Sequence, residues 1–192
     1  MTTVEPRSPD LARELIARAA QSAAHRTRRV RNQLDAIQVG QSRHADHANA
    51  KFLSRILAEH DWPGHRLVGL DGSRAAWRIA LHSDDAPGFQ RAATKLLEQA
   101  VQADDALIHH WAHLHDRSLI NTGQDQEYGT QLLLRPDGIE LCPVRAPESL
   151  DERRASVGLV PIAVALDAVQ CRYAPDHRAE DVLATFGFAD AA

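Results

Sequence analysis

Proline and glycine divide this chain into segments of helical length, and this spacing constrains the fold more than any other sequence feature. The breaker clusters are Gly40, Asp61-Trp62-Pro63-Gly64, Asn121-Thr122-Gly123 and Gly158. Between them, apolar residues recur every three or four positions, as they do on one face of a helix. Ser8-Pro9-Asp10 offers a cap, an N1 proline and a first-turn acid, which predicts a first helix reaching about Gln38 and ended by Gly40.

One segment predicts strands. Residues 130–135 and 138–144 flank the turn signal Pro136-Asp137. We therefore predict a mostly α (α+β) fold, a helical bundle-like domain with one small antiparallel β-hairpin near residues 130–144. We expect residues 1–40 to form an N-terminal helix, 41–173 the main helical domain with the hairpin, and 174–192 a C-terminal tail.

Composition and length favour an ordinary globular protein. The 192 residues are 44% hydrophobic and 25% charged, which is enough to bury a core. No apolar run approaches the roughly 18 residues that a membrane span needs, and the N-terminus lacks the apolar region of a secretory signal. Two cysteines without CxxC spacing make no disulfide framework. These features predict a cytoplasmic protein without a membrane partner.

Charge is unevenly distributed along the chain. The formal net charge is −4, but residues 1–60 carry ten Arg/Lys against six Asp/Glu. The basic excess centres on Arg26, Arg28, Arg29 and Arg31, with no aromatic residue nearby. Nucleic-acid binding favours basic residues interleaved with aromatics. We interpret this segment as a solvated helix face and expect no nucleic-acid partner.

Polar residues on the predicted second helix, about residues 43–60, suggest a site. Successive helical residues turn by about 100°, which places Asp46 and Asn49 within the arc of the apolar residues Phe52, Leu53 and Ile56. Unpaired burial of such groups is costly. A buried Asp46 with a raised pKa can serve as a general base, whereas an exposed helix end or a late cap would be structural.

His82 closes the predicted third helix and is followed by Ser83-Asp84-Asp85. An imidazole beside carboxylates suits acid/base chemistry or proton transfer. The alternative is a histidine that caps the helix carbonyls.

The predicted fifth helix, about residues 105–120, carries four histidines. His109, His113 and Asp116 lie on one strip at i, i+4 and i+7, a set that can bind Zn²⁺ or Fe²⁺. A polar, exposed strip on a half-buried helix is the structural alternative. The sequence shows no second ligand motif, so the His-ligated metalloprotein stays an alternative and we expect no metal or cofactor.

The segment around the predicted hairpin is unusually polar. Gln126, Tyr128 and Gln131 can orient a substrate by hydrogen bonds without adding charge. Arg117 and Arg154 can clamp a carboxylate, phosphate or sulfate. An Arg–Asp network that ties helix to hairpin explains the same residues equally well.

From about Asp46 to Ile162, the chain resembles a bacterial family abundant in actinobacteria, domain-of-unknown-function family 6624. The shared elements include Asp46 with Asn49, Trp62-Pro63, Val68-Gly69, Ala75-Ala76-Trp77, His82 with Phe89-Gln90, Asp116-Arg117, Gln126 with Tyr128-Gly129-Thr130-Gln131, and Arg153-Arg154 with Gly158-Leu159. The Tyr-Gly-Thr-Gln element with its upstream Asp-Arg pair is the more specific part. His113 and His115 depart from the family pattern. The family assigns no reaction.

More faintly, the chain is similar to small helical proteins of actinobacterial pathways to aziridine-containing azabicycles. That resemblance implies an intramolecular ring closure by amine attack with loss of sulfate. Such chemistry needs a base, an anion contact and a substrate held in anti geometry.

We hypothesise a metal-free, cofactor-free enzyme or enzyme subunit, cyclase- or lyase-like, acting on a small polar, anionic substrate in bacterial specialised metabolism. The candidate catalytic residues are Asp46, His82 and Asp116. The candidate substrate-binding residues are Asn49, Trp77, Arg117, Gln126, Tyr128, Gln131 and Arg154. The alternatives are a non-catalytic binding or interaction module and the metalloprotein, and a protein partner or homo-oligomer is left open.

Overall fold

The computed structural model describes residues 5–30, 35–135 and 138–173. Over these residues the fold is mostly helical with one two-stranded antiparallel sheet, as predicted. The elements are α1 (Pro9–Val30), α2 (Ala36–His60), α3 (His65–Leu81), α4 (Pro87–Gln102), α5 (Ile108–Ile120), β1 (Leu132–Arg135), β2 (Gly138–Leu141), a 3₁₀ turn (Pro147–Ser149), α6 (Leu150–Ser156) and α7 (Ile162–Tyr173). The chain divides into two compact units, Met1–Leu107 and Ile108–Ala192. No helix in the described ranges is both long enough and apolar enough to cross a membrane.

The boundary between the first two helices lies earlier in the sequence than the breaker pattern predicts. Helix α1 begins at Pro9 with Asp10 in its first turn, as expected, but it ends at Val30. Helix α2 begins after Asp35, whose carboxylate accepts from the Gln38 N–H at 2.8 Å while the Gln38 amide oxygen accepts from the Asp35 N–H at 3.1 Å. This capping box starts a helix that runs through Gly40, because one interior glycine costs only about 1 kcal/mol.

Helix α3 begins at His65, where its first turn is capped by a residue distant in the sequence. The His65 N–H donates to the Asp105 carbonyl at 2.9 Å, and the Arg66 N–H donates to the Asp105 carboxylate at 2.8 Å. Gly69 then breaks the helix locally, with φ 71° and ψ 176°. A carboxylate at a helix N-terminus satisfies free N–H groups, but local sequence patterns cannot reveal one that lies about 40 residues away.

The core of the N-terminal unit lies among its helices, and α1 packs chiefly against α3. Leu15, Leu53, Trp77 and Leu97 are almost fully buried there. The polar residues discussed below lie beside this core, where α1, α2 and the end of α3 approach one another.

In the C-terminal unit, the strands pair in the register Leu132↔Leu141, Leu133↔Glu140, Leu134↔Ile139 and Arg135↔Gly138. The predicted turn residues 136–137 lie outside the described residues, as does the predicted tail 174–192. Strand β1 starts at Leu132 rather than Thr130, because the preceding N–H groups of Thr130 and Gln131 donate to the side chains of Asp116 and Gln126.

Two glycines make a matched test of this packing. A methyl group on Gly64 would lie 2.5 Å from the Asp105 carbonyl oxygen, whereas one on Gly40 would meet nothing within 4 Å. We expect Gly64→Ala to lower the free energy of unfolding by about 2 kcal/mol, through overpacking. We expect Gly40→Ala to raise it by about 1 kcal/mol. Denaturant titration of both variants checks this; equal effects of the two substitutions would contradict the packing described.

Candidate functional site

A cleft of about 260 Å³ opens in the N-terminal unit. It lies where the first half of α2 meets the segment between α3 and α4, so two elements contribute its side chains. The lining residues are Arg43, Asp46, His47, Ala50, His82, Ser83, Asp84, Asp85 and Ala86. Two of the residues predicted to be catalytic, Asp46 and His82, therefore share one cleft.

Asp46 is held by a relay of side chains from α1 and α2. The Ser22 hydroxyl donates to Asp46 Oδ1 at 2.8 Å and accepts from the Asn49 amide at 2.9 Å. The Asn49 oxygen accepts from Arg18 at 3.2 Å. Ser22 and Asn49 are buried, whereas the Asp46 side chain keeps 29% of its exposure. Asn49, a candidate substrate-binding residue, belongs to the relay that orients the carboxylate.

The end of α3 places His82 in the cleft. The terminal carbonyl groups of α3 accept hydrogen bonds from Ser83 and Gln90: the Ser83 hydroxyl donates to the Ile79 carbonyl at 2.7 Å, and the Gln90 amide to those of Ala80 and Leu81, each at 3.1 Å. The His82 N–H donates to the Arg78 carbonyl at 3.2 Å. These bonds fix the backbone from which the half-buried His82 side chain reaches the cleft.

Arg26 lies beside the Asp46 carboxylate, although the segment around Arg26 was predicted to be a solvated helix face. Its side chain is only 17% exposed, and its nearest charged partner, Asp46 Oδ1, is 3.9 Å away. Burial lowers the pKa of Arg26 to about 10, which the Asp46 carboxylate opposes, the Arg78 charge strengthens and the Asp84 charge opposes. The solvated-face interpretation is therefore wrong for Arg26, while Arg28 is exposed as predicted.

The rim of the cleft is more exposed and weakly paired. Arg43 Nε lies 3.8 Å from the Asp85 carboxylate, and both side chains are more than 60% exposed. Among the lining residues, Asp46, Asp84 and Asp85 oppose a single guanidinium, that of Arg43. The cleft therefore attracts cations more than anions.

In the C-terminal unit, Asp116 is fully buried and anchors the loop before the hairpin. Its carboxylate accepts from the backbone N–H groups of Glu127 (2.8 Å), Tyr128 (3.0 Å) and Thr130 (3.0 Å), and from the Thr130 hydroxyl (2.9 Å). Burial raises the pKa of Asp116, and these hydrogen bonds oppose the rise. Gly129 completes the turn with φ +64°. The arrangement leaves Asp116 as a loop anchor.

Gln126 and Gln131 extend the hairpin with side-chain hydrogen bonds. The Gln126 amide donates to the carbonyls of Gln131 and Cys142 at 3.0 and 2.9 Å and accepts from the Gln131 N–H at 2.8 Å. The Gln131 amide nitrogen donates to the His113 carbonyl at 3.3 Å, and its oxygen accepts from Arg117 at 3.4 Å. These contacts tie α5 to the hairpin.

Arg154 is a structural cation in the same unit. It is 3% exposed and donates to the carbonyls of Val160 (2.6 Å), Tyr128 (2.7 Å) and Gly129 (3.2 Å). Burial lowers its pKa, and the charges of Asp151 and Asp116 oppose this shift. Its planar fork is thus engaged by backbone oxygens, which matches the network interpretation of Arg154 more closely than an anion clamp.

Tyr128 joins an aromatic group on the same unit. Its ring lies 5.7 Å from that of Trp111 and 6.2 Å from that of His115, and the Trp111 and His115 rings stack at 5.0 Å. Trp77, the other aromatic residue proposed for substrate binding, is fully buried in the N-terminal unit and does not line the cleft.

The alternative metal set is not assembled. No group of three or more His, Cys, Asp or Glu residues within the described part of the chain could hold a metal ion. Of the residues proposed as ligands, Asp116 directs its carboxylate to the loop backbone instead. His113, which the structural alternative placed on an exposed strip, is only 4% exposed.

The structure distributes the candidate residues over both units. Asp46, Asn49, Trp77 and His82 lie in the first; Asp116, Arg117, Gln126, Tyr128, Gln131 and Arg154 lie in the second. Sequence reasoning missed Ser22, Arg26 and the rim residue Arg43. The available signal was the i, i+4 spacing of Arg18, Ser22 and Arg26, which forms one polar strip on α1.

Comparison with known proteins finds one match. A family model described as "Family of unknown function (DUF6624)" matches residues 9–174. No curated protein and no solved structure matches the chain.

Because Asp116 anchors the loop before the hairpin, we expect its substitution to have a large effect on stability. In Asp116→Asn, one acceptor oxygen becomes an NH₂ group that faces hydrogen-bond donors, so we expect the free energy of unfolding to fall by about 3 kcal/mol. Asp125→Asn, at an exposed position in the same segment, is the charge-matched control and should change stability by less than about 0.5 kcal/mol. Similar denaturation midpoints for the two variants would refute the anchoring role.

His113 predicts a pH dependence of stability. Burial lowers its pKa from 6.5 to about 3, helped by the neighbouring charges of His109 and Arg154. The folded pKa lies below the unfolded one, so this contribution to stability is complete above pH 6.5 and is lost as the pH falls toward 3. The loss is at most about 1.4 kcal/mol per pH unit. Denaturant titration between pH 7 and 4 should show a shallower slope for His113→Gln than for the control His115→Gln; identical slopes would contradict the assignment.

Proposed function

The chain belongs to the DUF6624 family of unknown function, and on that premise we propose that it is an enzyme or enzyme subunit of bacterial specialised metabolism. It acts by acid/base chemistry on a small polar substrate in the cleft of the N-terminal unit. The observation that supports this proposal is the position of the Asp46 carboxylate. It is oriented by hydrogen bonds from the buried Ser22 and Asn49, yet it remains accessible in a cleft that His82 also lines.

Asp46 has the geometry that a general base needs. Both of its contacts within the described residues, from Ser22 and Arg26, involve Oδ1. Oδ2 is therefore the oxygen available to accept a proton from a substrate. A purely structural carboxylate would have both oxygens satisfied, as Asp116 does in this same protein. His82, which also lines the cleft, is the candidate proton shuttle.

The charges of the cleft favour a substrate with an amino group. Three carboxylates and two imidazoles line it against one guanidinium. An ammonium ion is attracted to such a surface, and Asp46 can remove its proton to make the neutral amine a nucleophile. The substrate prediction thus shifts from an anion alone to a molecule with an amine at its reacting centre.

Intramolecular ring closure is the reaction we propose for this amine. Asp46 takes one proton from the ammonium group, the nitrogen lone pair forms a bond to the sulfate-bearing carbon, which is the next carbon beyond the one already bonded to nitrogen, and the carbon–oxygen bond to sulfate breaks. Sulfate leaves with that electron pair, and the aziridinium ion that forms loses its second proton to solvent to give the aziridine. The enzyme's contribution is deprotonation and the holding of the nitrogen anti to the leaving group.

The C-terminal unit has a supporting role in this proposal. Asp116, Gln126 and Arg154 donate to or accept from the loop backbone, so we assign them to loop anchoring rather than to catalysis.

The test uses 2-aminoethyl hydrogen sulfate as the probe, with sulfate release followed by ion chromatography and aziridine by NMR. We expect Asp46→Asn to lower kcat by about 100-fold or more, the usual contribution of a general base, with a nearly unchanged melting temperature. Asp85→Asn removes the same charge from the exposed rim and should have a much smaller effect.

Two results would reject the proposal. Wild-type turnover in Asp46→Asn would remove Asp46 as the base. If wild-type protein neither releases sulfate from the probe nor shows NMR shifts of cleft residues with ethylammonium, the amine-directed function is wrong.

A further inference from the structure

Arg26 is a half-buried cation whose guanidinium donates no hydrogen bond to another described residue. A guanidinium carries five N–H donors. Its ion pair with Asp46, at 3.9 Å, is too long for a hydrogen bond. Arg154, which is more deeply buried at 3% exposure, donates three hydrogen bonds to carbonyl groups. The guanidinium donors of Arg26 are therefore not taken up by the described part of the chain.

The surroundings of Arg26 make the partial burial of its charge costly. Its charge is partly removed from water, as the lowered pKa reflects, and Arg78 repels it. The carboxylates of Asp46 and Asp84 attract it without completing its hydrogen bonds. No Arg26 nitrogen is both shut off from solvent and without a hydrogen-bond partner, so an acceptor from solution can reach the donors that the described residues leave unused.

Arg26 also lies in the right place to meet a substrate. It does not line the cleft, but Asp46 and Asp84, the two carboxylates that attract it, both do. Its side chain retains 17% of its exposure, which allows a small molecule to approach. Asp46 Oδ1 is the group that an incoming anion would replace as its nearest partner.

We propose that Arg26 binds the oxyanion of the substrate, so that the site takes a small molecule carrying an amine and a sulfate, phosphate or carboxylate group close together. The amine half of this inference rests on the proposed function; the oxyanion half does not. Arginine suits the role because its planar fork donates two parallel hydrogen bonds to two oxygens of one oxyanion. This assigns the anion contact to α1 rather than to Arg117.

A simple ion pair between Arg26 and Asp46 is the competing explanation. Removal of the Asp46 charge distinguishes the two explanations. If the pair is structural, removal of the Asp46 charge weakens the fold and leaves anion binding absent. If Arg26 is an anion site, the same change removes a competitor for the guanidinium and improves anion binding.

The experiment titrates sodium sulfate into the full-length protein at constant ionic strength, with the arginine Nε–Hε signals read by ¹⁵N NMR. We expect saturable binding in wild type, with the dissociation constant raised about tenfold or more in Arg26→Gln through loss of charge-assisted hydrogen bonds. Arg28→Gln, an exposed position on the same helix, should leave it within about twofold, as screening of an exposed charge allows. Arg26→Lys, which keeps the charge but not the fork, should fall between them.

Asp46→Asn should bind sulfate several-fold more tightly than wild type. Equal binding by Arg26→Gln and Arg28→Gln, or weaker binding by Asp46→Asn, would overturn the inference. If Arg26→Gln unfolds, the Arg26→Lys titration decides alone, and wild-type affinity in that variant overturns the inference as well. The absence of both sulfate release from the amino-sulfate probe and NMR shifts with ethylammonium would reject the proposed function while leaving the sulfate result intact, so the two claims fail separately.

Discussion

The Asp116 carboxylate satisfies a stretch of backbone that has no regular partner, and the C-terminal unit is organised around it. The N–H groups of Glu127, Tyr128 and Thr130 point inward at the turn before the hairpin, where neither helix nor sheet can accept them. Arg154 serves the opposite polarity by donating to the carbonyls of the same turn. Buried N–H and C=O groups must find partners, and here one anion and one cation supply them. The most specific element of the family resemblance, Asp116-Arg117 with Tyr128-Gly129-Thr130-Gln131, therefore coincides with a structural device in this protein.

The N-terminal unit shows the contrasting case, in which a polar network beside the core reaches a cleft open to solvent. The relay from Arg18 through Asn49 and Ser22 is directional and ends on one oxygen of Asp46. Arg26 lies next to the end of that relay without joining it. Networks that are complete rigidify a fold, whereas incomplete ones cost stability unless a ligand completes them. The difference between the two units is what locates the proposed chemistry in the first.

Most of the fold was predictable because it follows local periodicity. The helical class, the hairpin near residues 130–144 and the helix start at Pro9 are confirmed. What local patterns could not reveal were long-range partners: Asp105 extends α3 toward its N-terminus, and Asp116 shortens β1. At the site, helical geometry correctly placed Asn49 inward. It could not identify Ser22 or Arg26, because their importance depends on which helix packs against α1.

The cap on α3 affects how this part of the chain can fold during its synthesis. Asp105 is the third residue from the end of the N-terminal unit, yet it holds the first turn of a helix that begins 40 residues earlier. During synthesis, α3 must wait for nearly the whole unit to emerge from the ribosome before its leading turn can close. Any gene fragment meant to isolate this half must extend past codon 105, since truncation at the last residue of α4 would remove the capping side chain while retaining every helix.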